Sequence, residues 1–529
     1  MKNSIYLVLI VLLSIAIGFL LGKNDLIPLP THTQKGGSLK KLNTLVKYLS
    51  NDYVDKVNTD SLVNGVIEGI VSQLDPHSQY IPASQRQQME ESMQGNYVGI
   101  GVSFYMIEDS IAVVRTLEGG ASKKAGILPG DRILMADEDT LYQKNLLSED
   151  VVFRLKGMPN TDVALKIHRQ SNDSVYHFKI RRGKVPLPSV STYYMMNEGM
   201  GYLKLNRFSQ TTYDEFVAAI KVLKAQGMED LILDLRDNPG GYLFPAEQIA
   251  DDFLPEGAAI VTVKSNNGKR NQTKATSGGI FENGALYILV NEQSASASEV
   301  LAGALQDNDR AWIVGRRTFG KGLVQQQMPL GGGDVLRLTT ARYYTPTGRS
   351  IQKPYEGNER DAYFSELQAR YDSGEMGDSE KVAVADSLAF KTPKGRTVYG
   401  GGGIIPDVYV PNPNSAEEEW NDFLIGSNLM NRFVFLELDK DRAKYSFSDP
   451  DTFFENPLPD SEALFEAFTI YCQDNQLPIN TDKKDKVLTS IKAYMALQLF
   501  GEAIFNRILN TEDVFIETIL AEVGRAFEK

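Results

Sequence analysis

Between residues 190 and 411, short apolar runs alternate with stretches of helical periodicity, the pattern of an α/β layer fold. Residues 285–290 (ALYILV) and 231–236 (LILDLR) are nearly continuous apolar runs of strand length, as buried strands require. Residues 201–205 and 311–314 also read as strands, and 335–341 as a strand of alternating character. Residues 213–224 predict an amphipathic helix. Residues 299–305 predict another, with Val300, Leu301 and Ala304 on one face. Upstream, two stripes (Leu42, Leu45, Val46 and Leu49; Leu62, Val66, Ile67 and Ile70) predict helices across residues 39–91. Residues 487–507 and 514–527 repeat that period. Residues 354–393 are charged and irregular, which predicts an inserted surface loop or lid. Residues 5–21 are almost wholly apolar and follow Lys2. They fit an uncleaved signal anchor or a signal peptide, and either one exports the body.

Candidate chemistry sits where one of these strands hands over to a helix. Asn291 ends the run 285–290, a Ser/Ala turn follows, and Ser296 stands just before the helix. There a hydroxyl is exposed while the next backbone N–H groups can face a developing oxyanion. The bland alternative is a serine N-cap. A nucleophilic serine needs a base, yet the four histidines (His32, His77, His168 and His177) all lie outside residues 190–410. That argues against a Ser-His-Asp triad and leaves a neutral lysine. Lys321 stands between Gly320 and Gly322, 25 residues after Ser296. Gly315 to Lys321 also fits G-x-x-x-x-G-K. However, Gly322 occupies the Ser/Thr position of a phosphate loop, and the following LVQQQM reads as a strand rather than a helix.

The net charge of −13 excludes a general nucleic-acid binder, which needs a basic face. The lone Cys472 excludes an intramolecular disulfide, and with four scattered histidines no metal centre or cofactor is expected.

SASASE (residues 294–299) followed by TFGKGLVQ (318–325) resembles the carboxyl-terminal processing proteases, the S41 family of tail-specific Ser/Lys peptidases with an embedded PDZ domain. The resemblance extends over roughly residues 38–411. It implies Ser296 as nucleophile, Lys321 as base and Gln325 as the lysine's support. Ser294 stands where the family more often has threonine. Asp234 to Gly241 (DLRDNPGG) is similar to the family's oxyanion turn, which implies N–H donors at Gly241 and Ala297. LDPHSQY (74–80) also matches, with His77 expected to be structural. Tyr97-Val98-Gly99-Ile100-Gly101-Val102 and AGILPGDRI (125–133) resemble a PDZ carboxylate-binding loop and its following turn and strand. The helix at 148–155 forms the other wall of the groove. Relatives often have arginine before the glycine after that helix; here Lys156 precedes Gly157.

The implied architecture is a multidomain α/β protein. Its parts are a signal segment (1–22), a linker (23–37), an N-terminal helical domain (38–94) and a PDZ domain, β-rich with two helices (95–183). A ClpP/crotonase-like protease core (184–411, with the insertion 354–393) and a C-terminal helical domain (412–529) follow. The implied function is an exported, cofactor-free serine endopeptidase acting through an acyl-enzyme on proteins with free, apolar C-termini. Residues 5–21 would hold it at the periplasmic side of the inner membrane, or it would be soluble there if cleaved, with a homodimer as a further possibility. The rival reading is a PDZ adaptor on an inactive hydrolase-like core.

Overall fold

The computed structural model describes residues 36–355, 360–384, 386–412, 423–424 and 426–527. The apolar segment 5–21 lies outside them. No described helix is long and apolar enough to cross a membrane.

The centre of the molecule is a six-stranded sheet. Its order is Val190–Met195, Met200–Leu205, Asp230–Asp234, Leu286–Val290, Trp312–Gly315 and Val408–Tyr409. The first pair is antiparallel and the rest are parallel. Both faces are covered, which is why these strands read as unbroken apolar runs. Leu231, Leu233 and Ile288 face the helices Thr212–Ala225, Leu243–Phe253 and Ala297–Asp307. Ile232, Leu289 and Val314 pack on the other face against Phe515, Ile516 and Ile519 of the last helix, Val514–Phe527.

Gln79–Ile81, Leu323–Gly331, Asp334–Tyr344, Ala259–Ser265 and Arg270–Lys274 form a second, five-stranded sheet. The LDPHSQY segment therefore joins the protease core through strand Gln79–Ile81, rather than a separate helical domain ending at residue 94. Tyr80 and Ile81 are buried there, a packing partner that helical periodicity cannot reveal. The helices Gly36–Asn51 and Thr59–Val71 carry Leu45, Leu62, Val66 and Ile70 exposed.

The PDZ domain is a sheet ordered Val102–Ile107, Ser110–Thr116, Asp131–Ala136, Asp162–Arg169 and Ser174–Arg181, with helices Ala121–Ala125 and Ser148–Leu155. Its entry and exit strands, Asn96–Gly99 and Gly183–Pro186, pair antiparallel. The helical region after residue 426 has its own core around Phe433, Phe453, Phe468 and Ile491. It packs on both neighbours. Phe435 covers Ala112 and Val114 of the PDZ sheet, and Asp513 pairs with Arg236 of the protease at 2.7 Å.

The insertion is not irregular throughout. Residues Arg360–Asp372 form a helix whose Tyr363 and Arg370 are buried. Its charged composition misleads because the charges bind inward. Arg370 donates to the carbonyls of Arg317 and Thr318 at 3.2 and 2.9 Å. The helix is thus a brace behind the loop that carries Lys321.

Candidate active site

Ser296 caps the helix Ala297–Asp307 at φ 57°, ψ −112°, a region few non-glycine residues enter. The turn holding it there is dense with hydrogen bonds. Ser294 Oγ donates to the Leu235 carbonyl at 2.8 Å, and the Ala295 N–H donates to Asn238 O at 3.0 Å. Both tie the serine turn to the Asp234–Gly241 turn on the neighbouring strand. Gly240, at φ 92°, packs so closely that a Cβ there would lie 2.8 Å from the Ala297 nitrogen. Its own N–H is taken by Asn238 Oδ1 at 2.9 Å. Among the described residues, the Gly241 and Ala297 N–H groups have no hydrogen-bond partner.

Glu299 locks the serine turn to the lysine loop. Fully buried, it accepts the N–H of Ser296 (2.8 Å), Gly320 (2.8 Å) and Lys321 (2.9 Å) and the hydroxyl of Thr318 (2.5 Å). Burial pushes its carboxyl upward and these donors pull it back. Tyr343, 2 % exposed, adds a second tie: its hydroxyl reaches the carbonyls of Lys321 (2.5 Å) and Ser296 (3.1 Å).

The Lys321 amine donates to Gln325 Oε1 at 3.0 Å, and Gln325 Nε2 donates in turn to the His77 carbonyl. Burial first, and then the Arg337 guanidinium, push the Lys321 amine down to about 8; Glu299 and Asp75 oppose the shift. His77 itself is held down to about 3, chiefly by burial and then by Lys321, and its Nε2 lies 2.8 Å from the Tyr363 hydroxyl. The structure thus uses the carbonyl of His77 at the site and packs its ring against the brace helix.

Ser296, Lys321, Gln325, Gly241 and Ala297 line one cavity of about 830 Å³. The PDZ residues 97–102 lie outside it. Ile100 is buried in the PDZ core, so it can offer a ligand only its backbone. Gly101 turns at φ 80°, with its carbonyl accepting the Leu117 N–H at 3.0 Å. Val102 begins the edge strand Val102–Ile107. Tyr97 pairs with Val185, and its ring lies 5.0 Å from the Lys156 ammonium.

Sequence reasoning gives Glu299 a structural role but misses its hub of backbone contacts, and it misses Tyr343, Arg337 and the His77 carbonyl. Only Glu299 left a signal. Ser296-x-x-Glu299 has the spacing of a capping box, in which the acidic side chain reaches back to the cap N–H.

The family model for peptidase family S41 matches residues 199–363. A PDZ model matches 98–180, an "Activating protease CtpB N-terminal domain" model matches 28–84, and a family of unknown function matches 420–501. The carboxy-terminal processing protease CtpB of Bacillus subtilis is 31 % identical over 327 residues, 61 % of this chain and 67 % of that protein. A carboxy-terminal-processing protease of Bartonella bacilliformis is 35 % identical over 318 residues, 59 % of this chain and 72 % of that protein. The chain belongs to peptidase family S41.

It is a serine-type, carboxy-terminal processing S41 peptidase with a PDZ domain inserted before its α/β core. Among solved structures, the photosystem II D1 C-terminal processing protease aligns over 71 % of this chain and 87 % of its own, with 26 % identity and a TM-score of 0.37. The S41 match ends at residue 363, inside the brace helix.

Proposed function

We propose that this S41 peptidase is exported and cleaves peptide bonds through a Ser296/Lys321 dyad and an acyl-enzyme, in proteins selected by a free C-terminus. The observation that carries the reading is the state of Lys321. Its amine is buried beside a neutral amide, faces no carboxylate at hydrogen-bond distance among the described residues, and shares a cleft with Ser296. A lysine so placed loses its proton through about pH 8, well below its ordinary range, and can act as a base.

Ser296 Oγ attacks the scissile carbonyl and its proton passes to Lys321 Nζ. The oxyanion that forms is met by the Gly241 and Ala297 N–H groups. When the C–N bond breaks, Lys321 returns that proton to the leaving amine. Water then attacks the ester, Lys321 takes the water proton, and Ser296 leaves with it. Gln325 accepts one N–H of the amine and so restricts its orientation in the cavity that Ser296 also lines. Glu299 binds the backbone of both loops and holds the two groups in register. In the PDZ domain, the loop 97–102 and the edge strand Val102–Ile107 would receive the substrate's C-terminal residues by strand addition. The apolar segment 5–21 would export the body and tether it.

The test is substitution at the base. Lys321→Arg keeps a cation that does not deprotonate. It should lower kcat on a peptide substrate by on the order of 10³–10⁶, as should Ser296→Ala. Substantial turnover in Lys321→Arg would remove lysine from the mechanism.

A further inference from the structure

The cleft holds two arginines that touch no reacting group in the mechanism; Arg337 acts on Lys321 only through its field. Arg207 follows the strand Met200–Leu205, and Arg337 lies on the strand Asp334–Tyr344; both line the Ser296 cavity. Each rests against the same face of the helix Ala83–Gln94. Arg207 Nη1 donates to Ser92 Oγ at 3.2 Å, and Arg337 Nη2 lies against Met89 Sδ, one turn earlier. A thioether and a hydroxyl are poor partners for guanidinium groups.

The carboxylates nearby are committed elsewhere. Glu90 pairs with Arg86 at 2.6 Å and Glu91 with Lys156 at 2.5 Å. Asp237, the one carboxylate among the described cavity-lining residues, accepts Asn291 Nδ2 at 2.8 Å. Arg207 Nε is buried with no hydrogen-bond partner among the described residues. Burial lowers the Arg337 guanidinium, and among the described residues no acidic neighbour acts against it. Arg207, Lys321 and Arg337 therefore face the cavity against a single, already occupied carboxylate.

A half-buried guanidinium with only weak acceptors carries a desolvation cost that a bound anion relieves. We propose that Arg207 and Arg337 form a carboxylate subsite in the catalytic cleft, which binds an anionic group of the substrate segment next to the scissile bond. The inference rests on the proposed peptidase reading of this cavity. The carboxylate comes from an acidic side chain or from the substrate's own terminus, and planar forked donors suit either.

The experiment measures kcat/KM for matched peptides. Each carries Glu, Gln or Lys in turn at positions on both sides of the scissile bond, and each is made as C-terminal acid and as amide. The full-length enzyme is compared with Arg207→Gln, Arg337→Gln and the charge-keeping Arg207→Lys. Labelling of Ser296 by a fluorophosphonate reports an intact site in every variant.

The wild type should prefer Glu over Gln at one position, or acid over amide, by about tenfold to a hundredfold. Either glutamine substitution should cut that preference to about threefold or less, and Arg207→Lys should keep part of it. A preference for Glu identifies an acidic side chain as the ligand. A preference for the acid terminus that the glutamine variants remove identifies the substrate's end. Equal cleavage of all peptides by labelled wild type overturns the subsite. So does a preference that survives both glutamine variants, which then belongs to the PDZ loop. Loss of Ser296 labelling together with persistent cleavage would instead overturn the peptidase reading.

Discussion

Glu299 holds Lys321 by its backbone and not by its amine: Oε2 accepts the Lys321 N–H at 2.9 Å, while the side-chain nitrogen turns to Gln325. The same oxygen accepts the Ser296 N–H at 2.8 Å. A carboxylate paired with the amine would keep it protonated. A carboxylate paired with the two main chains sets their spacing and exerts only an opposing field on the base.

Glu299→Gln tests that role. The amide nitrogen would replace one acceptor oxygen and meet N–H donors, leaving buried groups unpaired at about 1–3 kcal/mol. We expect kcat to fall tenfold or more and Tm to drop, with KM little changed. Unaltered kcat would show that the loops keep their register without the carboxylate.

The pH profile follows from the lysine. With the Lys321 amine at about 8, the neutral base forms as pH rises, so kcat/KM should climb through about pH 8 and level off above it. Arg337 is a cause of the depression, so Arg337→Gln should move that inflection upward on a neutral substrate. An inflection that stays in place would separate Arg337 from the base.

Gly240→Ala should damage the site without removing a reacting group. The new Cβ would lie 2.6 Å from Ala295 O and 2.8 Å from both Ala297 N and Ser296 Cβ, at a φ of 92°. The serine turn must shift. Misplacing the donor or the nucleophile costs on the order of 10² or more in kcat. Retained activity would mean the two turns can part without loss.

C-terminal selection is tested by amidating the substrate. If the 97–102 loop binds the terminal carboxylate, the amide should lose about 1.5–3 kcal/mol of contact and tenfold to a hundredfold in kcat/KM. The loss should vanish in a variant with a bulky residue at Gly101. There a Cβ would already lie 2.8 Å from Gly120 Cα, so the loop cannot keep its turn. Equal cleavage of acid and amide would leave the PDZ domain a different task.

Residues 231–234 and 286–290 announced themselves because both sheet faces are buried, and burial on two sides demands an unbroken apolar run. Ser296, Lys321 and Gln325 were legible through motif and spacing, and the structure brings all three to one cavity. The brace helix Arg360–Asp372 was not legible, because Arg370 buries its charge on main-chain carbonyls and its sequence reads as solvated. The His77 carbonyl under Gln325 was equally hidden. A main-chain acceptor can come from any residue type, so nothing in the sequence marks it. Tyr343 and Arg337 are strand residues whose partners lie across other segments of the chain. Periodicity reports which face of an element is buried, and a motif reports which side chains react. The electrostatic setting of Lys321 depends on which distant groups the fold stacks around it, and the tertiary structure alone decides that.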